Sequence, residues 1–295
     1  MRNLVILNPV AGGREDTRDL HRLIGRKIEG DFVTTANSGD AVAIATEACR
    51  AGYGSVVAVG GDGTVREVAM GLHLGGGVPR LGIVPAGTGN DLAFSLGVPA
   101  DIERAADVAV GGRTVDLDLI RASRSDGAGE PRFLANAAVA GFGGRIGDRM
   151  SPTLRRRFRP IAYPLAALGQ VGDLRPHSVR LEIDGRKIET RALMIIVANG
   201  EYAGGRIRFA PGASTADGLL DLVLVHAVSP PKLVTLVPRV LSGRHTGHPA
   251  VSMFRAASVR IESEPPMWIN LDGDTWRAGN SSFEVVPAAI RVAVP

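Results

Sequence analysis

Short apolar runs alternate with amphipathic stretches through the first 122 residues. "NLVILN" is followed by the 17 to 28 stretch, "DFVTT" by "DAVAIATEACRAG", "SVVAVGG" by "TVREVAMGLHLG", and "RLGIVPAG" by "NDLAFSLG". Alternation of strand and helix with short joins predicts an α/β layer built on a parallel sheet. From "RFLANAAV" onward the pattern changes to strands. "SVRLEIDGRKIETRALMIIVANG" holds two runs joined through Asp184 and Gly185, a hairpin signal. "LLDLVLVHAV", "ASVRIES", "MWINLDGD" and "FEVVPAAIRVAV" add further strands, and "KLVTLVPRVLSG" is the last clear helical stretch. The second half is therefore expected to be an antiparallel sandwich or barrel. No repeat of fixed period is present. The linker-like stretch "ASRSDGAGEP" at 122 to 131 divides the chain into an α/β domain, 1 to 123, and an all-β domain, 124 to 295, with the closing residues able to return to the first.

A chain of 295 residues is long enough for two domains with separate cores, and 45% apolar with 22% charged residues is ordinary for a globular protein. Cys49 is the single cysteine, which excludes an internal disulfide or a multi-cysteine zinc site and points to a reducing compartment. The apolar run before Asn8 is too short for a signal-peptide core. "ALMIIVA", 192 to 198, falls far below the ~20 residues that cross a bilayer. A cytoplasmic protein is expected, touching a membrane at most from outside.

Charge adds one feature to this picture. The chain carries a formal +4, yet between Arg145 and Arg159 six arginines stand against Asp148 alone, a local excess of +5. Such a patch attracts nucleic acid, anionic headgroups or acidic partners, or is a solvated face. Nucleic acid is disfavoured, because aromatic residues make up only 4% of the chain and none is interleaved as a stacking platform.

Three loops in the first half share one design, each following an apolar strand: "NPVAGG" (8 to 13), "GGDGT" (60 to 64) and "PAGTGND" (85 to 91). In an open parallel sheet, loops at the carboxyl ends of strands converge on a ligand crevice. Glycines there admit a phosphate close to the backbone, and amides at the following helix start point toward it. The usual fingerprints do not fit. No Gly-Lys pair exists for a P-loop, and Arg66 stands where GxGxxG would need its last glycine. Phosphate charge must then be met by backbone dipoles, an arginine or a metal. Asp62, in the middle of the second loop, suits such a site if it faces a magnesium ion shared with the phosphates.

"NPVAGG", "GGDGTVREVAMGL" and "PAGTGNDLA", in that order and spacing, resemble the diacylglycerol kinase catalytic-domain family, in particular its bacterial lipid kinases. The likeness continues through "GGRIRFAPGASTADGLLDLVLV" (204 to 225) and "INLDGD" (269 to 274). GGDGT is shared with NAD kinases, whereas PxGTGND and a late DG[ED] mark the lipid branch. The resemblance implies a Rossmann-like first domain of the NAD kinase and phosphofructokinase type, a β-sandwich second domain carrying the lipid, and transfer of the γ-phosphoryl group of ATP to a lipid hydroxyl.

Carried over by residue, the resemblance puts Asn8, Pro9, Val10, Ala11 and Gly12, together with Gly60, Gly61, Asp62, Gly63, Thr64, Val65 and Arg66, on the ATP phosphates. Thr88 and Thr35 are implied as further nucleotide contacts. Asp62 would organise Mg2+, with Asp91 and one of Asp116 and Asp118 as candidates to join it; Asp91 is equally suited to cap a helix. A second, structural magnesium site would match Ser214, Asp217 and the carbonyl of Leu219, although an Asp-Gly turn needs no metal. Where the family has DGE, its glutamate taking the proton from the lipid hydroxyl, this chain has Asp274. Asp272 is the competing base, because in an extended segment it would share a face with Asp274. His245 and His248 in "RHTGH" read as loop, with no third ligand nearby.

The partners expected are ATP, a lipid acceptor such as diacylglycerol and an anionic membrane surface, with no nucleic acid. A kinase acting on NAD or a sugar, and a non-catalytic lipid or nucleotide sensor, remain the alternatives. Oligomeric state is not legible, a homodimer being left open.

Overall fold

The structure, a computed structural model, describes residues 2–11, 17–124, 129–141 and 175–295. Gly12 and the Arg145 to Arg159 cluster lie outside the described residues. The chain forms two compact units, Met1–Leu119 with Pro287–Pro295, and Ile120–Val286.

In the first unit, strands and helices alternate in the order β1 (Asn3–Leu7), α1 (Thr17–Gly25), β2 (Asp31–Thr34), α2 (Asp40–Arg50), β3 (Ser55–Gly60), α3 (Asp62–Leu74), β4 (Arg80–Pro85), α4 (Asp91–Ser95) and α5 (Ile102–Gly111). The strands pair in parallel in the order β2-β1-β3-β4, and the end of the final strand adds to β4 through Val292 and Leu81. Every residue of β3 is buried, as a central parallel strand covered on both faces requires. Helices α2 and α3 lie against each other at Gly71, where a Cβ would overlap the carbonyl oxygen of Val42. Cys49 is packed at the same seam, a Cβ on Gly75 meeting its Sγ, and burial pushes its thiol pKa up, the opposite of what a reactive cysteine needs. Asp101 caps α5 by accepting the Arg104 N–H at 2.9 Å.

β5 (Arg113–Arg124) runs from the first unit into the second, which continues with β6 (Arg132–Leu134), β7 (Ala137–Gly141), β8 (His177–Ile183), β9 (Arg186–Ala198), β10 (Tyr202–Ala203), β11 (Ile207–Arg208), β12 (Leu220–His226), α6 (Pro230–Leu241), β13 (Val251–Ala256), β14 (Ser258–Leu271) and β15 (Asp274–Val294). Its antiparallel row is β13-β12-β9, then β7 and β8 sharing one edge of β9, then β14 and β15. Asp184 and Gly185, at φ 45° and 84°, form the two-residue turn between β8 and β9. Alternate residues of the central strands feed different cores. Ile195, Val197, Leu222 and Leu224 enter one cluster, while Ile196, Ala198, Val223 and Val225 enter another with Leu236 of α6. Both faces are thus covered, which explains apolar runs such as "ALMIIVA" in an antiparallel layer. An α/β unit followed by an antiparallel all-β unit is what the patterning predicts, and a Rossmann-like domain followed by a β-sandwich domain is what the resemblance implies. Among the described residues no helix is long and apolar enough to cross a membrane.

Candidate active site

In the first unit, the loops that leave β1, β3 and β4 at their carboxyl ends are tied into one cluster. Asn8, just past β1, donates from Nδ2 to the Thr64 hydroxyl at 3.0 Å and accepts the Val10 N–H on Oδ1 at 3.1 Å. Asp62 opens α3, and its carboxylate is turned to the third loop. Oδ2 accepts the Asn90 N–H at 2.8 Å and Oδ1 the Asp91 N–H at 2.7 Å. These amides begin α4, so the positive end of one helix meets the carboxylate that starts another. Sequence reading left the charge of Asp62 to a metal; the structure supplies two backbone amides 28 and 29 residues away.

Asn90 is a residue whose part could not be read from the motif. At φ 58° it occupies the left-handed region that Asn tolerates, and its side chain clamps Gly87 twice, accepting the N–H at 3.0 Å and donating to the carbonyl at 2.9 Å. Glu67 was also missed. It accepts the Gly39 N–H at 3.0 Å and the Ser38 hydroxyl at 3.2 Å, fastening the loop before α2 to α3. Thr35, just past β2, is buried and donates its hydroxyl to the Leu7 carbonyl at 3.3 Å. Val65 and Arg66 are buried on the first turns of α3, whereas Thr88 and Val10 are exposed. Pro9 and Ala11 are partly exposed beside Val10.

Gly60 is enclosed, a Cβ there colliding with the Thr64 side chain, but a Cβ on Gly63 would meet nothing within 4 Å. Open space therefore lies outside the first turn of α3, where backbone N–H groups project from a helix start. That is the chemistry of an anion seat. Asp91 is buried, and its carboxylate lies with that of Asp62 around Gly89. A hydrated magnesium ion, which takes few carboxylates and shares phosphate oxygens, suits such a donor set. Among the described residues no group of three or more His, Cys, Asp or Glu is arranged as an all-protein metal cage. Asp118, buried in β5, accepts the Ala288 N–H at 2.7 Å, while Asp116 is exposed; the shared strand face places them in different surroundings.

The second unit separates Asp272 from Asp274. The segment expected to be extended is the turn between β14 and β15, with Asp272 at φ 46° and Gly273 at φ 104°, so the two side chains do not share a face. Asp272 is buried and accepts three backbone N–H groups, Ala135 and Asn136 on Oδ2 at 2.9 and 3.0 Å and Ala137 on Oδ1 at 2.8 Å. Asp274 stands half-exposed beside Arg132, 3.4 Å from its guanidinium, which lies over the Trp276 ring at 5.6 Å. Neither Arg132 nor Trp276 carried a sequence signal.

In the 214 to 219 loop, Ser214 Oγ accepts the Ala216 N–H at 3.4 Å and Asp217 Oδ1 accepts the Leu219 N–H at 3.1 Å. Asp217 Oδ2 pairs with Arg255, whose Nε is 3.7 Å from buried Asp221. As folded, the loop is closed by its own amides and an arginine. His245 and His248 lie in the loop between α6 and β13, as read from the sequence, and are buried there: His245 Nε2 lies 2.8 Å from the Phe209 carbonyl, and His248 joins Thr235 to the Ala250 amide.

Residues 2–122 match the diacylglycerol kinase catalytic domain, and residues 136–294 match the YegS C-terminal NAD kinase beta sandwich-like domain. "Probable lipid kinase YegS" of Escherichia fergusonii is 32% identical, over 99% of this chain and 96% of that protein. "Probable lipid kinase YegS-like" of Xanthomonas euvesicatoria is also 32% identical, over 99% and 95%. The crystal structure of a diacylglycerol kinase from Bacillus anthracis shares the fold with a TM-score of 0.74, at 23% identity over 100% of this chain and 97% of that one. The chain belongs to the YegS family, in which a diacylglycerol kinase catalytic domain is followed by the NAD kinase beta sandwich-like domain.

Proposed function

We propose that this protein is an ATP-dependent lipid kinase that transfers the γ-phosphoryl group of ATP to the hydroxyl of a glycerolipid, diacylglycerol or a near relative. The observation that carries the reading is the clamp of Asp62 on Asn90 and Asp91, which holds two glycine loops together while leaving open space at the start of α3. Family membership favours a lipid over a soluble acceptor, since the relatives are named as lipid kinases.

Phosphoryl transfer asks a protein mainly to position the phosphates and meet their charge. Amides of the first α3 turn would hold the ATP phosphates, with residues 8 to 11 lining the seat while their own N–H groups stay bound to Val59 and Asn8. Thr88, exposed in the third loop, would hold the nucleotide, and Thr35, past β2 at the other side of the sheet, would be a further contact. Asp62 and Asp91 would hold magnesium, which when bound neutralises charge on the β- and γ-phosphates. Asp274, half-exposed and salt-bridged to Arg132, would take the proton of the acceptor hydroxyl. Asp272 is unsuited to that task because its oxygens are committed to three amides. A structural magnesium at Ser214, Asp217 and Leu219 would have to compete with Arg255 for Asp217.

The experiment is a transfer assay with γ-labelled ATP and magnesium against dispersed diacylglycerol, monoacylglycerol, phosphatidylglycerol, ceramide and sphingoid bases, with NAD and sugars alongside. Label on a glycerolipid is expected. Label on NAD or a sugar alone would establish a soluble acceptor, and ATP binding without transfer to any acceptor would establish a sensor.

A further inference from the structure

Helix α6 is apolar on the side that faces away from its core. Leu236 is buried, with Leu233 and Val240 packed on the same cluster. At 3.6 residues per turn, Val234, Pro238 and Leu241 fall together on the opposite side. Val234 is 60% and Leu241 49% exposed, and these are the exposed large apolar side chains of the second unit among the described residues. Thr235, beside the stripe, has its hydroxyl engaged with the Lys232 carbonyl and His248.

The charges around this face are of one sign. Residues 227 to 249 contain Lys232, Arg239 and Arg244 and no Asp or Glu. All three cations are exposed; by the same geometry Arg239 and Lys232 project about 100–120° round the helix from Pro238, on the side nearer Leu236, and Arg244 follows just past the helix end. Arg208, whose side chain runs beside Gly243, is neutralised by Glu201, with Nη2 2.7 Å from Oε1. An exposed apolar stripe on a helix whose charged residues are all basic is the composition of a helix that lies in a membrane interface, where long basic side chains reach back to the headgroups. A stripe of three side chains is too small for a stable protein partner, which needs about 800 Å² on each side. A second copy would also set like charges against one another.

We propose that α6 docks the second unit on an anionic bilayer, with Val234, Pro238 and Leu241 entering the boundary between headgroups and acyl chains and Lys232, Arg239 and Arg244 meeting lipid phosphates. The purpose of such docking rests on the lipid-kinase reading, but the surface is separate from the residues assigned to ATP and to proton transfer, and its test uses no turnover.

The full chain is floated without ATP on vesicles of phosphatidylcholine, alone or mixed with phosphatidylglycerol. Wild type binds the anionic vesicles and is released by salt. Replacing Lys232 and Arg239 by Ser weakens binding by about 25-fold, about 5-fold for each charge. Val234→Ser with Leu241→Ser weakens it by about 10-fold or more, and melting curves of all variants match wild type. In a Val234→Trp variant, indole emission shifts to the blue on anionic vesicles and is quenched by brominated acyl chains. Absence of wild-type binding, unchanged binding in both double variants or unmoved Trp emission overturns the proposal. So does a fall in oligomeric size in Val234→Ser/Leu241→Ser with vesicle binding intact, which makes α6 a contact between copies. Vesicle binding that depends on α6 in a protein that phosphorylates no lipid upholds the docking surface and removes the kinase reading alone.

Discussion

Gly61 and Gly87 meet backbone to backbone: a Cβ on Gly61 would lie 3.2 Å from the Cα of Gly87, and one on Gly87 would overlap the Cα of Gly61. The loops after β3 and β4 therefore approach this closely because Gly87 lacks a side chain, and a Cβ on Gly61 would already be a tight fit. Gly87→Ala should force them apart, costing about 1–3 kcal/mol of stability. It should also weaken ATP binding, because the Asp62 clamp spans the same gap. Thermal melting and an ATP titration check both, and unchanged ATP affinity in a destabilised variant would detach the loop contact from the nucleotide seat.

Asp62→Asn tests the clamp itself. Asparagine keeps one carbonyl oxygen but sets an NH2 group against the second backbone N–H, so one charge-assisted bond is lost at about 1.5–3 kcal/mol. Transfer should fall further than stability explains, by about 10²- to 10³-fold, the usual effect of removing a charge that organises a phosphoryl site. Steady-state turnover with melting curves separates the two effects. Wild-type turnover would confine Asp62 to a structural part.

Asp272 and Asp274 are two residues apart and should behave as opposites. Asp272→Ala leaves three amides without their acceptor and should cost at least about 3 kcal/mol, read by chemical denaturation. Asp274→Ala removes a surface ion pair that contributes at most about 1 kcal/mol, yet should lower turnover by about 10²- to 10⁴-fold with ATP affinity unchanged. Asp274→Glu should retain activity. Full activity in Asp274→Ala would place proton transfer elsewhere.

Stability should depend on pH through Asp221. Burial pushes its carboxyl up to about 6; Arg255 opposes this, and Asp217 and Glu201 add to it. One of its oxygens, Oδ2, has no hydrogen-bond partner among the described residues. A carboxyl raised from an unfolded value of 3.8 to about 6 binds its proton more tightly in the native state. Its contribution is therefore full below pH 3.8 and is lost as pH rises through about 6. Asp221→Asn should melt higher than wild type at pH 7.5 and equal to it at pH 3.5, both measured with a chelator. An equal gain at both pH values would mean that Asp221 is not titrating in the native state.

How a chain of this kind is read depends on how far each signal reaches. Hydrophobic periodicity is local, so the change from strand-helix alternation to successive strands after "RFLANAAV" is legible directly, as is the turn at Asp184 and Gly185. The glycine loops are local too, and their order along the chain carries the family. Partners of polar side chains are not local. Asp62 takes amides from a loop 28 residues on, Asp118 the amide of Ala288, and Asp272 three amides around Asn136. A carboxylate in sequence is only a group seeking donors, and which donors it meets is set by how distant backbone is folded against it. For the same reason the exposed stripe of α6 is not visible in its sequence, where apolar residues occur nearly all round the helix. Only packing decides which of Leu236 and Val234 is buried and which is left facing outward.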